Sequence, residues 1–106
     1  VRRDARRRLE LREAGFTEDL LSPGLGGRLG LYLSTFAPGA ARDEMSLRPC
    51  AEAGLVLSGR LELWVGDRHF ILEQGDAFSF DSEPHRWRNP GTETCVVVWA
   101  LTPPAY

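Results

Sequence analysis

Hydrophobic and polar positions alternate along much of this chain. Leu29, Leu31 and Leu33 recur with period two, as do Leu61, Leu63 and Val65. That period belongs to a β-strand with its two faces in different surroundings. Glycine and proline interrupt the alternation at short intervals. In Val65-Gly66-Asp67-Arg68, Gly66 supplies the positive φ that a tight hairpin favours. Leu57-Ser58-Gly59-Arg60 reads as a second hairpin, Gly75-Asp76 ends one strand and opens the next, and Pro90-Gly91 separates the last two. The pattern predicts strands at 8–11, 28–36, 53–57, 61–65, 69–72, 77–80, 86–88 and 94–101. No segment carries a convincing helical period. Thr17–Leu21 suits a single helical turn, ended by Pro23, Gly24, Gly26 and Gly27. Many short strands, with turn signals about every eight to twelve residues, predict an all-β sandwich or barrel. There is no internal repeat, no low-complexity segment and no helix-turn-helix motif.

Composition narrows the class. A chain of 106 residues suits one domain, and 42% hydrophobic with 26% charged residues is ordinary for a globular protein. No apolar run approaches the ~20 residues that span a bilayer, and no apolar stretch follows the basic N-terminus as in a signal peptide. A net charge of −2 gives no general case for nucleic-acid binding. The charge is uneven, however. Arg2, Arg3, Arg6, Arg7, Arg8 and Arg12 crowd the first twelve residues, and every basic residue in the chain is arginine. Without interleaved aromatics this stretch reads as a solvated linker, or as an edge strand whose charges discourage aggregation, ahead of a basic arm on DNA. Residues 1–14 are therefore assigned to a basic linker or first edge strand, and 15–106 to the folded barrel. The only methionine is Met45, so Val1 is read as an internal residue of a longer protein. Cys50 and Cys95 form no CxxC and no zinc spacing. They are expected as reduced thiols of a cytoplasmic protein.

The stretch Glu52–Asn89 resembles the cupin family. Glu52-Ala53-Gly54-Leu55-Val56-Leu57-Ser58-Gly59 matches the end of that family's first motif, and Arg60–Gly66 its following hairpin. Gly75-Asp76 opens the second motif, and Pro84-His85-Arg86-Trp87-Arg88-Asn89 closes it. The flanks Leu20-Leu21-Ser22-Pro23-Gly24, Phe36-Ala37-Pro38-Gly39-Ala40 and Trp99–Pro104 resemble the cupin half of Xre-type helix-turn-helix regulators. The resemblance implies a single double-stranded β-helix, or jelly-roll barrel, with its motif part at 48–89. It further implies a DNA-binding domain outside this chain, and a homodimer.

Metal-binding cupins use three histidines and a glutamate, a set suited to iron, manganese, nickel or zinc. Only Glu52 and His85 match. Met45, Ser46, Leu47 and Arg48 stand where two histidines should, and Arg48 would repel a cation. No metal cofactor is expected; Glu52 and His85 are at most weak metal candidates. The expected occupant of the barrel is a small-molecule metabolite. Its candidate site is Arg48, Glu52, His85 and Trp87, with Phe78, Phe80, Tyr32 and Trp99 as wall residues. An inward Arg48 favours an anion. His69 is read as a surface histidine, and Gly59, Gly75, Asp76 and Asn89 as turn residues. The leading function is a ligand-sensing domain of a transcriptional regulator, without catalytic residues. The alternative is a small isomerase or epimerase using His85 and Glu52 as an acid–base pair, and a metal-dependent dioxygenase ranks third.

Overall fold

The computed structural model describes residues 1–11, 15–22 and 27–104. Nine strands are present among them: β1 (Arg7–Leu11), β2 (Phe16–Leu20), β3 (Gly30–Phe36), β4 (Ala51–Ser58), β5 (Arg60–Val65), β6 (Arg68–Glu73), β7 (Ala77–Asp81), β8 (His85–Arg88) and β9 (Cys95–Thr102). The one helical element there is a three-residue 3-10 turn at Arg3–Ala5. The chain is all-β, as the alternation predicts. Its strands form a six-stranded sheet in the order β1-β2-β3-β9-β4-β7 and a three-stranded sheet in the order β6-β5-β8. All pairings are antiparallel. The two sheets are not joined into one closed cylinder. They are linked by a shared core in which Leu61, Leu63 and Val65 of β5 cluster with Phe16, Tyr32 and Phe36 of the larger sheet. Each such side chain contributes roughly 1.5–3 kcal/mol through burial.

The helical turn expected at Thr17–Leu21 is not formed; that segment lies in β2. Phe16, Glu18 and Leu20 share the buried face and pair with Phe36, Ser34 and Tyr32 of β3. An inward glutamate breaks the apolar alternation, so the strand is disguised in the sequence. Asp19, on the opposite face, is held by Arg8 at 2.7 Å and Arg6 at 3.6 Å. The arginine-rich opening thereby fastens the edge pair β1–β2. Arg12 and the residues Pro23, Gly24 and Gly26, which were read as ending the turn, lie outside the described residues.

Strand β3 also reverses the face that its leucines suggest. Leu29 and Leu31 are exposed, whereas Tyr32, Ser34 and Phe36 are buried. Leu55 and Leu57 of β4 are exposed as well. Registers Leu31↔Ala100, Leu33↔Val98 and Leu55↔Val98 make this one apolar outer surface across β3, β9 and β4.

The turns behave as the glycines indicate: Gly59, Gly66 and Gly75 all have positive φ. The long connection from β3 to β4 runs beside β8, through bridges Ala41↔Arg88 and Ser46↔His85. Asn89 anchors its start. Its Nδ2 donates to the carbonyls of Phe36, Ala37 and Glu93, and its Oδ1 accepts from the Gly91 amide.

Candidate functional site

A cavity of about 230 Å3 opens between the two sheets at the end covered by this connection. One wall is aromatic. Phe16, Phe36 and Trp87 pack together with ring centroids 4.6–5.2 Å apart. The period-two faces of β2, β3 and β8 each deliver one of these rings. Trp99 of β9 and Leu101 extend the wall. The polar lining comes from Glu18 and Ser34 on paired strands, and from Arg42, Ser46 and Arg48 on the β3–β4 connection.

The electrostatics of this end are unusual for a core. Glu18 is only 8% exposed, and burial pushes its carboxyl up, against the pull of Arg48 and a hydrogen bond from Ser34. Glu52, at 3%, is likewise raised by burial and drawn back by Arg48. His85 is lowered, chiefly by burial, with Arg48 and Arg42 adding to the effect. Its Nδ1 donates to the Glu83 carbonyl at 3.2 Å, which leaves Nε2 facing Glu52 Oε2 at 3.9 Å. That separation exceeds a hydrogen bond. With both groups displaced toward neutrality, the pair is poorly suited to act as a buried ion pair. Among the described residues two buried side-chain polar atoms are orphaned: Glu52 Oε1 and Trp99 Nε1. Unmet groups of this kind cost about 1–3 kcal/mol each.

Of the residues singled out in the sequence, Arg48, Trp87 and Trp99 line the cavity. Glu52 and His85 stand one pairing position from it, opposite Leu101 and Ser46 respectively. Tyr32, Phe78 and Phe80 are not on its lining. Tyr32 is fully buried one turn of the alternation beyond Ser34. Phe78 lies against Gly54 and meets Trp99 edge-on at 4.8 Å, while Phe80 packs against His85. These three back the wall and do not form it. Glu18, Phe16, Ser34, Phe36 and Arg42 escaped the sequence reading. A carboxylate at the centre of Phe16-x-Glu18-x-Leu20 was the available signal. His69 has more structure than a free surface histidine: it stacks on Trp64 and its Nε2 lies 2.6 Å from Glu62. Burial raises Glu62, but hydrogen bonds with His69 and Arg88 outweigh it and hold the carboxyl low.

The residues present do not suit a tight metal centre. Among the described residues no three or more His, Cys, Asp or Glu side chains converge. The Arg48 charge acts on Glu52 and His85, the two that match the family's ligands.

The model of the cupin domain matches residues 32–101, most of the chain and all of the cavity's main strands except β2. The chain belongs to the cupin family. Solved cupin structures share its fold. The Cupin_2 domain of an XRE family transcriptional regulator from Enterobacter cloacae superposes with a TM-score of 0.73 at 20% identity, over 86% of this chain and 99% of that one. An HTH_3 family transcriptional regulator from Vibrio cholerae gives 0.71 at 22%, over 86% of this chain and 52% of its own length. A sugar phosphate isomerase of the cupin superfamily from Silicibacter pomeroyi gives 0.74 at 20%, over 93% and 72%. Cupins thus include regulator domains and enzymes on this same fold. No curated protein matches this cupin in sequence. No helix among its described residues is long and apolar enough to cross a membrane.

The buried groups fix a pH dependence. Glu18 and Glu52 have folded pKa values above their unfolded ones. Their contribution to stability is present at acid pH and is lost as pH rises through the folded values. His85 is lowered, so its contribution is present above the ordinary imidazole pKa and is lost as pH falls through the folded value. Glu52→Gln should therefore stabilise the protein at pH 8, on the order of 1–2 kcal/mol, and much less at pH 5. Thermal melts of both proteins across that range check it. An equal effect at both pH values would contradict the assignment.

Proposed function

We propose that this cupin is the ligand-sensing module of a DNA-binding transcriptional regulator, and that it holds a small anionic metabolite in the cavity between its sheets. The observation that carries this reading is the cavity's polar end. Arg48 and Arg42 line it without an ion pair among the described residues. Guanidinium groups favour carboxylate or phosphate through charge-assisted hydrogen bonds. The site's departure from the metal-binding set favours holding a ligand over metal chemistry. The two regulator structures support the wider assignment, in which a helix-turn-helix domain outside this chain contacts DNA, in the cytoplasm. Paired half-sites require a dimer. The exposed Leu31 of β3 and Leu55 and Leu57 of β4 supply a surface for it, and sedimentation velocity at twice the chain mass is the expected result.

Thermal-shift titration with a panel of organic acids tests the reading. At least one acid should raise the melting temperature of the parent, and Arg48→Met should weaken its binding about tenfold or more, the order of one charge-assisted hydrogen bond. Binding unaffected by Arg48→Met would count against it.

The second reading is a small isomerase or epimerase. The buried His85–Glu52 pair at 3.9 Å favours it, since burial raises the Glu52 carboxyl toward the pH range of acid–base work. Turnover of a sugar-phosphate panel that His85→Ala abolishes would support it. A panel without turnover would remove it.

A further inference from the structure

The cavity holds charges of both signs, and this deepens the proposed reading, on which it rests. A purely anionic ligand would meet Arg48 and Arg42, but also the Glu18 carboxylate on the same lining. A polyamine would meet Glu18 and, next to the wall, Glu52, but would face two guanidinium groups. Neither satisfies the lining. A molecule with one ammonium and one carboxylate on a short skeleton does.

We propose that the cavity takes a free amino acid with an apolar side chain. Its carboxylate is held by Arg48 and Arg42. Its ammonium meets Glu18, and its side chain rests on Phe16, Phe36 and Trp87. Each group answers a separate feature. The ammonium supplies the counter-charge that buried Glu18 lacks; Ser34 gives it only a neutral hydrogen bond, and Arg48 acts on it without an ion pair within 4.0 Å. The carboxylate supplies the counter-charge for Arg48 and Arg42, which line the cavity without an ion pair among the described residues. The aromatic trio presents packed rings, which suits an aliphatic or thioether chain. At about 230 Å3 the space fits a molecule of this size and excludes peptides and nucleotides. The paired register Glu18↔Ser34 fixes the acceptor for the ammonium beside its own hydroxyl donor on neighbouring strands, so this half of the recognition is built into the sheet.

Matched probes test this. Isothermal titration of the full chain would use leucine, 4-methylpentanoate, which lacks the ammonium, and 3-methylbutylamine, which lacks the carboxylate. Valine, isoleucine, methionine and phenylalanine would be run alongside. At least one of the five amino acids should bind, and leucine should bind ten-fold or more tightly than either fragment. In Glu18→Gln, 4-methylpentanoate should bind as well as leucine; the apo melting curve of that variant verifies that it folds. If Glu18→Gln fails to fold, the parent's ratio of leucine to 4-methylpentanoate decides alone. Equal affinity of the parent for leucine and 4-methylpentanoate overturns the amino-acid assignment and leaves the anion-binding reading standing. Preference for the amine, or no binding by any probe together with no response to organic acids, overturns both.

Discussion

Asn89→Ala is expected to lower stability by roughly 3 kcal/mol, because three carbonyls and one amide lose their partner at once. For a domain of this size that corresponds to a fall in melting temperature of roughly 12–24 °C. Asn89 is 1% exposed, so water does not readily replace the lost bonds. Its Nδ2 reaches Phe36 O at 3.1 Å, Ala37 O at 3.2 Å and Glu93 O at 2.8 Å. Those atoms sit at the end of β3, the start of the β3–β4 connection and the approach to β9. One side chain therefore ties the connection that carries Arg42 and Arg48 to the sheet that carries Phe36. The variant should lose ligand affinity along with stability, since the cavity's polar end would loosen. Urea unfolding measures the first, and a change below about 1 kcal/mol would contradict the role assigned here.

Gly59→Ala is expected to cost as much or more. Gly59 has φ +77°, and a Cβ there would lie 2.6 Å from Thr94 O and 2.8 Å from Cys95 Cα. The conformation alone costs about 1–2 kcal/mol for a residue with a side chain. The clash is with backbone, which cannot swing aside, so the total should reach roughly 3–4 kcal/mol. Gly75→Ala is the control. Its φ of +90° is equally left-handed, but nothing lies within 4 Å of the added atom. It should show the conformational cost only, about 1–2 kcal/mol. Equal losses for the two variants would mean that the β4–β5 turn relaxes away from β9.

Much of the fold was legible because turns and alternation are local. Gly59, Gly66 and Gly75 mark turns whatever lies across the sheet, and Leu61, Leu63 and Val65 alternate because one face of β5 is wholly buried. Strand β2 was illegible because its inward row includes Glu18. In β3 the leucines announced a strand but not its orientation: the row Leu29, Leu31, Leu33 faces outward, and the core row is Tyr32, Ser34, Phe36. Period two does not say which face is the core.

The site divides in the same way. Glu52 and His85 stood out through motif position, and the fold does bring their side chains to 3.9 Å. Arg48 stood out by occupying a place where the family's metal-binding members carry histidine. The cavity's other half is set by pairing β2 with β3 and by laying the β3–β4 connection along β8, neither of which short motifs encode. Tyr32, Phe78 and Phe80 were reasonable aromatics to list as wall, but strand register puts them behind it.

The central claim is that the space between the sheets is the ligand site. The indole N–H resonances of the three tryptophans read it directly, because Trp87 and Trp99 line the cavity while Trp64 stacks outside between His69 and Arg86. Proton–nitrogen correlation spectra would be recorded during addition of leucine or 4-methylpentanoate, whichever binds more tightly. The account predicts that the Trp99 indole shifts and saturates with Trp87, while Trp64 stays in place. A shift of Trp64 with Trp99 unmoved would place the ligand on the outside of the three-stranded sheet and contradict the account.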